Sequence, residues 1–383
     1  MVAGPLMRIG LDAHVIGRRK TGNETYITGL GNALAARDDV ELTVFLDPGT
    51  AWPLAARDPS GAGGDVPHLR ALRSRGRVGR LLLDLPIRAR QARSQILHVQ
   101  YVAPPIAGVP TVVAVHDLSF EDRPELFSTP TRLRLRTTVR ASTRRAAAVV
   151  ALSGFTRDRL LHHYDLDPDR VFVAHAAVDG RFSRLDQGVR TLDLRPLDLP
   201  ARFVLHVGDL IPRKNVPRLV EAMADLRRDG IGDVGLVLAG QDGRDSPRVE
   251  AAIATATARG DGCWVRRLGY VDDATLQALY RAATVVAYPS RYEGFGLPAL
   301  EALAVGAVLV TSSTTALPEV VGDAAVLVDP EDTASLAAGL ARAITDEALR
   351  VRLATAGPAR AAEFSWTASA ASTVVAYRRA LER

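Results

Sequence analysis

The stretch Tyr288-Pro289-Ser290-Arg291-Tyr292-Glu293-Gly294-Phe295-Gly296-Leu297-Pro298-Ala299-Leu300-Glu301 decides how the rest of this chain reads. Ahead of it, Thr284-Val285-Val286-Ala287 is an apolar run that predicts a buried strand. The strand opens into a loop with Glu293 at its tip and Gly294 and Gly296 behind it. Pro298 suits the first turn of a helix, where its missing N–H costs nothing. A strand, a glycine-bearing loop and a helix N-terminus make an anion site, because unpaired backbone N–H groups and the helix dipole both favour negative charge. Glu293 and Glu301 add hydrogen-bond acceptors on either side. Acceptors flanking a phosphate cradle suit a ligand with hydroxyls at both ends of a diphosphate, which describes a sugar nucleotide.

The segment resembles the E-x7-E signature of the retaining glycosyltransferases of family four, with Glu293 and Glu301 as its ends and Gly-Phe-Gly-Leu-Pro between them. The likeness continues through residues 301–310 and 317–325. It implies an α/β protein with the GT-B fold: two Rossmann-like, doubly wound parallel-sheet domains facing a central cleft. It also implies that Glu293 orients the transferred sugar and Glu301 the ribose, with Gly294, Phe295, Gly296 and Leu297 lining the donor.

A chain of 383 residues is too long for one ordinary core and about right for two domains. With 47% hydrophobic and 24% charged residues, its composition is that of a globular protein. The single cysteine, Cys263, excludes a disulfide framework and a multi-cysteine metal site, which fits a reducing compartment. No apolar run approaches the ~20 residues a membrane helix needs. Residues 1–6 lack the basic and hydrophobic regions of a signal peptide. The expected location is cytoplasmic. Lys20 and Lys214 are the only lysines among many arginines. A compact ammonium and a planar fork differ at a tight site, so both invite a functional reading; a surface lysine explains Lys20 equally well.

Short apolar runs alternate with amphipathic stretches throughout, which predicts βα repeats and parallel sheets. One series of strands is expected at 7–12, 41–46, 95–99, 111–116, 147–152 and 171–175, and a second at 203–207, 235–239, 264–267, 284–288, 307–311 and 325–328. Residues 1–184 form an acceptor-binding domain on this reading. The Asp- and Pro-bearing stretch 185–200 is a linker, 201–366 the nucleotide-sugar domain, and 367–383 a helix that crosses back. Gly29-Leu30-Gly31 approximates a dinucleotide fingerprint but lies inside a helical stretch and lacks the third glycine, so it is set aside.

Phe203-Val-Leu-His-Val-Gly208-Asp-Leu-Ile-Pro-Arg213-Lys214-Asn215 looks like the family's phosphate-binding segment. Arg213 can clamp phosphate oxygens bidentately, and Lys214 supplies a point charge. Both would stabilise the leaving diphosphate, so no metal and no other cofactor is expected. Asp209 stands where many relatives carry an arginine, which leaves Arg213 to take over that phosphate contact. Tyr270 and Val271 resemble the turn that contacts the base.

In the first half, His116 and Asp117 end a buried strand, the expected place for site residues in an open α/β sheet. His116 matches the family's histidine near the transferred sugar; a core histidine is the alternative, and His98 is read as structural. Gly22-Asn23-Glu24 resembles the turn that approaches the donor diphosphate, with Asn23, Glu24 and Asp117 on the acceptor side. A plain helix cap would also explain Asn23.

Two arginine-dense spans, 70–93 and 132–145, make the first domain basic. They are either solvated helix faces or an attraction to an anionic membrane surface. No aromatic interleaving accompanies them, so nucleic acid is not an expected partner. The reading is a retaining, metal-independent glycosyltransferase moving a sugar from a nucleoside-diphosphate donor to an acceptor hydroxyl in glycan or glycolipid synthesis. It leans toward mannose from GDP-mannose. The acceptor is a sugar, a lipid-linked or a small molecule, and peripheral membrane contact goes through the basic domain. A nucleotide-sugar epimerase of the same fold and a non-catalytic sugar-nucleotide-binding subunit are the alternatives.

Overall fold

The structure, a computed structural model, describes residues 6–18, 21–53, 67–74, 76–183, 192–260 and 265–382. The expectations placed on Lys20, Arg75, Cys263, residues 1–5, the Trp264 end of a strand, residue 184 and residues 185–191 of the linker fall outside these. The chain divides into two compact units, 1–179 with 364–383, and 180–363.

The described residues of the first unit form seven parallel strands: β1 Met7–Asp12, β2 Val40–Leu46, β3 His68–Ala71, β4 Ile96–Gln100, β5 Thr111–Val115, β6 Ala148–Ala151 and β7 Val171–Val173. Their order is β3-β2-β1-β4-β5-β6-β7. The chain winds one way from β1 and the other way from β4, so the switch point lies between these two. The middle strands β4, β5 and β6 are buried along their whole length, the signature of a sheet covered on both faces. The last helix, Trp366–Leu381, belongs to this unit. The Tyr377 hydroxyl is hydrogen-bonded to His98 Nδ1 at 2.7 Å, and Arg378 pairs with Asp39 at 3.0 Å.

The described residues of the second unit form six parallel strands: β8 Phe203–Val207, β9 Gly235–Ala239, β10 Val265–Gly269, β11 Val285–Tyr288, β12 Leu309–Ser312 and β13 Val326–Val328. The order β10-β9-β8-β11-β12-β13 puts the switch point between β8 and β11. Val204, Leu236, Val285, Val310, Leu336 and Leu340 share its core. Residues 180–183 and 192–200 go with this unit, and Arg266 Nε donates to the Leu197 carbonyl at 3.1 Å. The stretch read as a linker is therefore attached along its described part.

The two glycines that imitate a dinucleotide fingerprint lie in the helix Thr21–Ala35 and serve packing. A Cβ on Gly29 would sit 2.1 Å from the Trp366 ring, and one on Gly31 2.6 Å from the Trp52 ring. Gly29 thus lets the C-terminal helix dock on the first. Gly29→Ala should lower stability: overpacking costs about 1–3 kcal/mol against a gain of under ~1 kcal/mol from removing a helical glycine. A lowered denaturant midpoint for the first unit is expected; an unchanged or higher midpoint would contradict this packing.

Candidate functional site

At the switch point of the second unit, two loops are stitched together. β8 ends in Gly208, whose φ of +143° and missing side chain leave room for the Lys214 stem, 3.2 Å from where a Cβ would lie. Asp209 then accepts from the Gln241 N–H at 3.0 Å, tying this loop to the one after β9. A single 3-10 turn, Pro212–Lys214, presents the basic pair. Asn215, at φ +62°, donates through Nδ2 to the carbonyls of Pro289 (3.2 Å) and Pro330 (2.7 Å). The Arg291 N–H closes on the Arg213 carbonyl at 2.8 Å. The loop after β11 cannot shift without the loop after β8.

These bonds deliver Glu293 onto both cations. Its Oε1 accepts from Lys214 Nζ at 2.9 Å and from the Tyr288 hydroxyl at 2.8 Å. Arg213 Nη1 donates to Oε2 and, at 3.0 Å, to the Tyr292 carbonyl. Lys214 also donates to the Tyr288 hydroxyl and lies 4.4 Å from that ring's centroid. Thr315, itself at φ +63°, accepts from the Glu293 N–H at 3.2 Å.

Glu293 is 6% exposed. Burial alone would raise its pKa, but Arg213 and then Lys214 outweigh burial and hold it at about 2. Burial, with Arg213 adding to it, lowers the Lys214 pKa while Glu293 opposes them. Burial followed by the Glu293 charge pushes the Tyr288 hydroxyl well up, so it stays a donor. His206 beneath is drawn down to about 4 by burial and donates Nδ1–H to the Ala287 carbonyl at 3.0 Å. The cluster of Arg213, Lys214 and Glu293 carries one net positive charge in a dry setting, suited to an anion.

Gly296, at φ +108°, starts the helix Leu297–Ala304 with Pro298 in its first turn, as the sequence predicts. A Cβ there would lie 2.7 Å from Leu317 Cδ2. Phe295 and Leu297 are buried beside Gly294 in this turn. One turn on, Glu301 Oε2 accepts from the buried Tyr280 hydroxyl at 3.0 Å. A cavity of about 390 Å³ opens at the carboxyl ends of β8, β9 and β10, lined by Leu210, Gly240, Arg267 and Gly269. Tyr270 and Val271 follow directly on Gly269. A second hollow of about 400 Å³, lined by Arg202, Thr284 and Arg350, lies at the amino ends of β8, β11 and β12. Ligands of open α/β sheets bind at the carboxyl ends, so the first cavity is the candidate.

In the first unit, His116 follows β5 with Tyr101 stacked on its ring at 5.3 Å and Tyr26 edge-on at 4.7 Å. Burial lowers its pKa to about 4 against the pull of Asp117, and Nε2 is buried with no hydrogen-bond partner among the described residues. Burial thus favours the neutral imidazole at His116. Asp117 accepts from the Ser119 N–H at 2.9 Å and hydroxyl at 2.5 Å, so part of its capacity is structural. Asn23 and Glu24 are half-buried in the first turn of the helix Thr21–Ala35. Gly22 lies inside that turn, where the sequence reading has the helix start. His98 is drawn down to about 3, chiefly by burial, and is structural as read.

The sequence reading misses Tyr288, Asn215 and Thr315, whose roles come from bonds across the fold. It also misses Asp12 at the end of β1. Asp12 accepts from His14 Nδ1 at 3.1 Å and pairs with buried Arg80. Burial opposes its charge, yet His14 and Arg80 hold it at about 2. The visible signal was Asp12-Ala-His14 at a strand's carboxyl end.

A carboxylate held between two cations at the switch point of an open α/β sheet is a setting for an anionic ligand. The family model "Glycosyl transferases group 1" matches residues 195–360, and "Glycosyltransferase Family 4" matches 21–181. The O-antigen chain mannosyltransferase B of Escherichia coli is 31% identical over 268 residues, 70% of each chain. The D-inositol 3-phosphate glycosyltransferase of Frankia alni is 34% identical over 288 residues, 72% of this chain and 69% of that one. Sucrose-phosphate synthase from Thermosynechococcus elongatus superposes with a TM-score of 0.74 at 22% identity, over 97% of this chain and 98% of that one. The chain belongs to glycosyltransferase family four and has its GT-B fold.

Two predictions follow from the Glu293 cluster. Tyr288→Phe keeps the ring but removes the bridging hydroxyl; a hydrogen bond to a charged group contributes roughly 1.5–3 kcal/mol, so kcat should fall about tenfold or more. Measured steady-state rates equal to wild type would dismiss the hydroxyl. Glu293 has a folded pKa of about 2 against an ordinary 4.5. A depressed carboxylate stabilises fully above the higher value, and this is lost as pH falls through the lower one. Glu293→Gln should therefore flatten the acid limb of stability between pH 4.5 and about 2; parallel acid limbs would refute that assignment.

Proposed function

We propose that this protein is a retaining mannosyltransferase, moving mannose from GDP-mannose to an acceptor hydroxyl in glycan or glycolipid synthesis. The observation that carries this reading is the Glu293 carboxylate held by Arg213, Lys214 and Tyr288 at the switch point of the second unit. Arg213 and Lys214 take the diphosphate, where their charge grows in value as the C1–oxygen bond breaks. Glu293, released toward the sugar, orients it and faces the developing oxocarbenium. Glu301 accepts from the ribose, and the base enters the cavity beside Tyr270 and Val271. His116, Asp117, Asn23 and Glu24 are assigned to the acceptor side, with Gly22 near the diphosphate.

In the reaction, the bond from C1 to the diphosphate oxygen breaks and its electron pair leaves with the diphosphate. A bond from the acceptor oxygen to C1 forms on the same face, and the diphosphate takes the acceptor's proton. No side chain has to be a strong base, which fits an ionised Glu293 with three hydrogen-bond donors on it. The mannosyltransferase relative supports the sugar. The two cations supply the field a metal would, so the reading is metal-independent. The enzyme works in the cytoplasm, peripherally on the membrane face, on a sugar, lipid-linked or small-molecule acceptor.

NMR of the first-formed product from GDP-α-mannose should show an α-glycoside, and a β-glycoside would overturn the retaining reading. Turnover should survive excess EDTA. Loss that Mg²⁺ or Mn²⁺ restores would contradict the role given to Arg213 and Lys214. Lys214→Arg should be impaired despite keeping its charge, because a planar fork cannot follow the ammonium into its place between Tyr288 and Glu293.

A further inference from the structure

β1 ends on Asp12 at the switch point of the first unit, and the chain turns there through Ala13 and His14. The Asp12 carboxylate is fixed on both oxygens. Oδ1 accepts from the His14 backbone N–H at 3.3 Å and faces the ring nitrogen Nδ1 at 3.1 Å, while Oδ2 pairs with Arg80. Arg80 stands on the helical stretch from Arg77 to Gln91, which Leu81, Leu85 and Ala89 pin to the core. The turn is anchored as well. The Ala13 N–H donates to the Phe45 carbonyl at 2.9 Å, and the Ile16 N–H to the Ala13 carbonyl at 3.1 Å. Ala13, Val15 and Ile16 are buried around it. The transfer chemistry described above uses neither Asp12 nor His14.

This geometry dictates which ring nitrogen carries the proton. Asp12 is 1% exposed; burial opposes its charge, yet His14 and Arg80 hold its pKa at about 2. An ionised carboxylate only accepts, so the Nδ1 beside it must be the N–H. The neutral ring then carries its lone pair on Nε2, in a direction set by the bond on the other nitrogen. Among the described residues no partner takes Nε2, and the side chain keeps 17% of its surface. A polar atom oriented by a buried carboxylate and left open at a strand's carboxyl end is placed for a ligand. Its lone pair selects that ligand: it repels a phosphate or carboxylate oxygen and takes a hydrogen bond from a hydroxyl.

We propose that His14 binds the acceptor through Nε2, taking a hydrogen bond from a hydroxyl other than the attacking one, with Asp12 as the positioning residue that fixes its tautomer and direction. An acceptor with a second hydroxyl to offer is a sugar or another polyol, not a simple alcohol. This rests on the transfer reading above and names the class of acceptor. On that reading the diphosphate takes the attacking hydroxyl's proton, so His14 receives none and the balance of the reaction is unchanged.

Two measurements on the full chain test it. In the first, ¹⁵N-histidine-labelled protein is titrated with methyl α-mannoside at a pH where the His14 ring is neutral. The His14 signal, identified by its absence from His14→Asn, should report the Nδ1–H tautomer, and Nε2 should shift as the glycoside is added. An Nε2–H tautomer, or an Nε2 that ignores both methyl α-mannoside and methyl α-glucoside, would overturn the proposal. The second measurement is steady-state transfer from GDP-mannose to methyl α-mannoside. His14→Asn keeps a donor for Asp12 where Nδ1 stood but puts nothing in place of Nε2, and His14→Phe keeps only the shape of the ring. Each should raise the acceptor KM about three- to tenfold, the contribution of one hydrogen bond, with the donor KM unmoved. His14→Asn should also keep the thermal midpoint. A wild-type acceptor KM in His14→Asn would sink the assignment, and so would acceptor and donor KM rising together, which would reduce the pair to structure. No turnover of GDP-mannose by the wild type, with Nε2 still answering the glycoside, would tell against the proposed donor alone and leave the acceptor subsite standing.

Discussion

A carboxylate at 6% exposure is a liability unless its charge is matched, and Glu293 is matched twice over. Removing one partner of such a buried pair typically costs about 3–5 kcal/mol, because the remaining charge has lost both water and partner. That penalty explains why so much of the second unit is devoted to placing three side chains. Gly208 makes way for the Lys214 stem, Asn215 ties the β8 loop to the β11 loop, and Thr315 holds the Glu293 backbone. On the proposed function, a diphosphate that replaces the carboxylate as the partner of Arg213 and Lys214 would meet two cations already held in place, Lys214 among them buried.

The first unit uses a related device at its own switch point, again one carboxylate between two bases. Asp12 is buried at the end of β1 between His14 and Arg80. Arg80 also anchors the helical stretch whose other face carries Val78, Leu82, Leu83 and Ile87. One ion pair therefore links a strand end, where ligands of such sheets bind, to the apolar surface. Burial also lowers the His116 pKa in this unit and favours its neutral form.

Much of the fold was legible because parallel strands covered on both faces must be apolar runs, and the chain has them at β1, β5, β8 and β11. β3 was not, since His68-Leu-Arg-Ala is an exposed edge strand with no apolar signature. The Asp- and Pro-bearing stretch around 185–200 announced irregular backbone, which is not the same as absent contacts: Arg266 binds the Leu197 carbonyl. In the site, the loop glutamate and the upstream basic pair could be picked out from motif and resemblance, but not that they bond to one another. Tyr288 could not, because its hydroxyl bridges Glu293 to Lys214, 74 residues away in sequence. Asn215 acts on a carbonyl 115 residues distant. Such long-range bonds leave no local pattern.

The central claim is that Arg213 and Lys214 exchange the Glu293 carboxylate for a donor diphosphate and free that carboxylate for the sugar. A crystal structure with a non-transferable GDP-mannose analogue tests it most directly. The account predicts Lys214 Nζ and the Arg213 guanidinium on phosphate oxygens, Glu293 on a sugar hydroxyl, and the base beside Tyr270. An analogue bound with both cations still closed on Glu293, or with its diphosphate at another strand end, would contradict it.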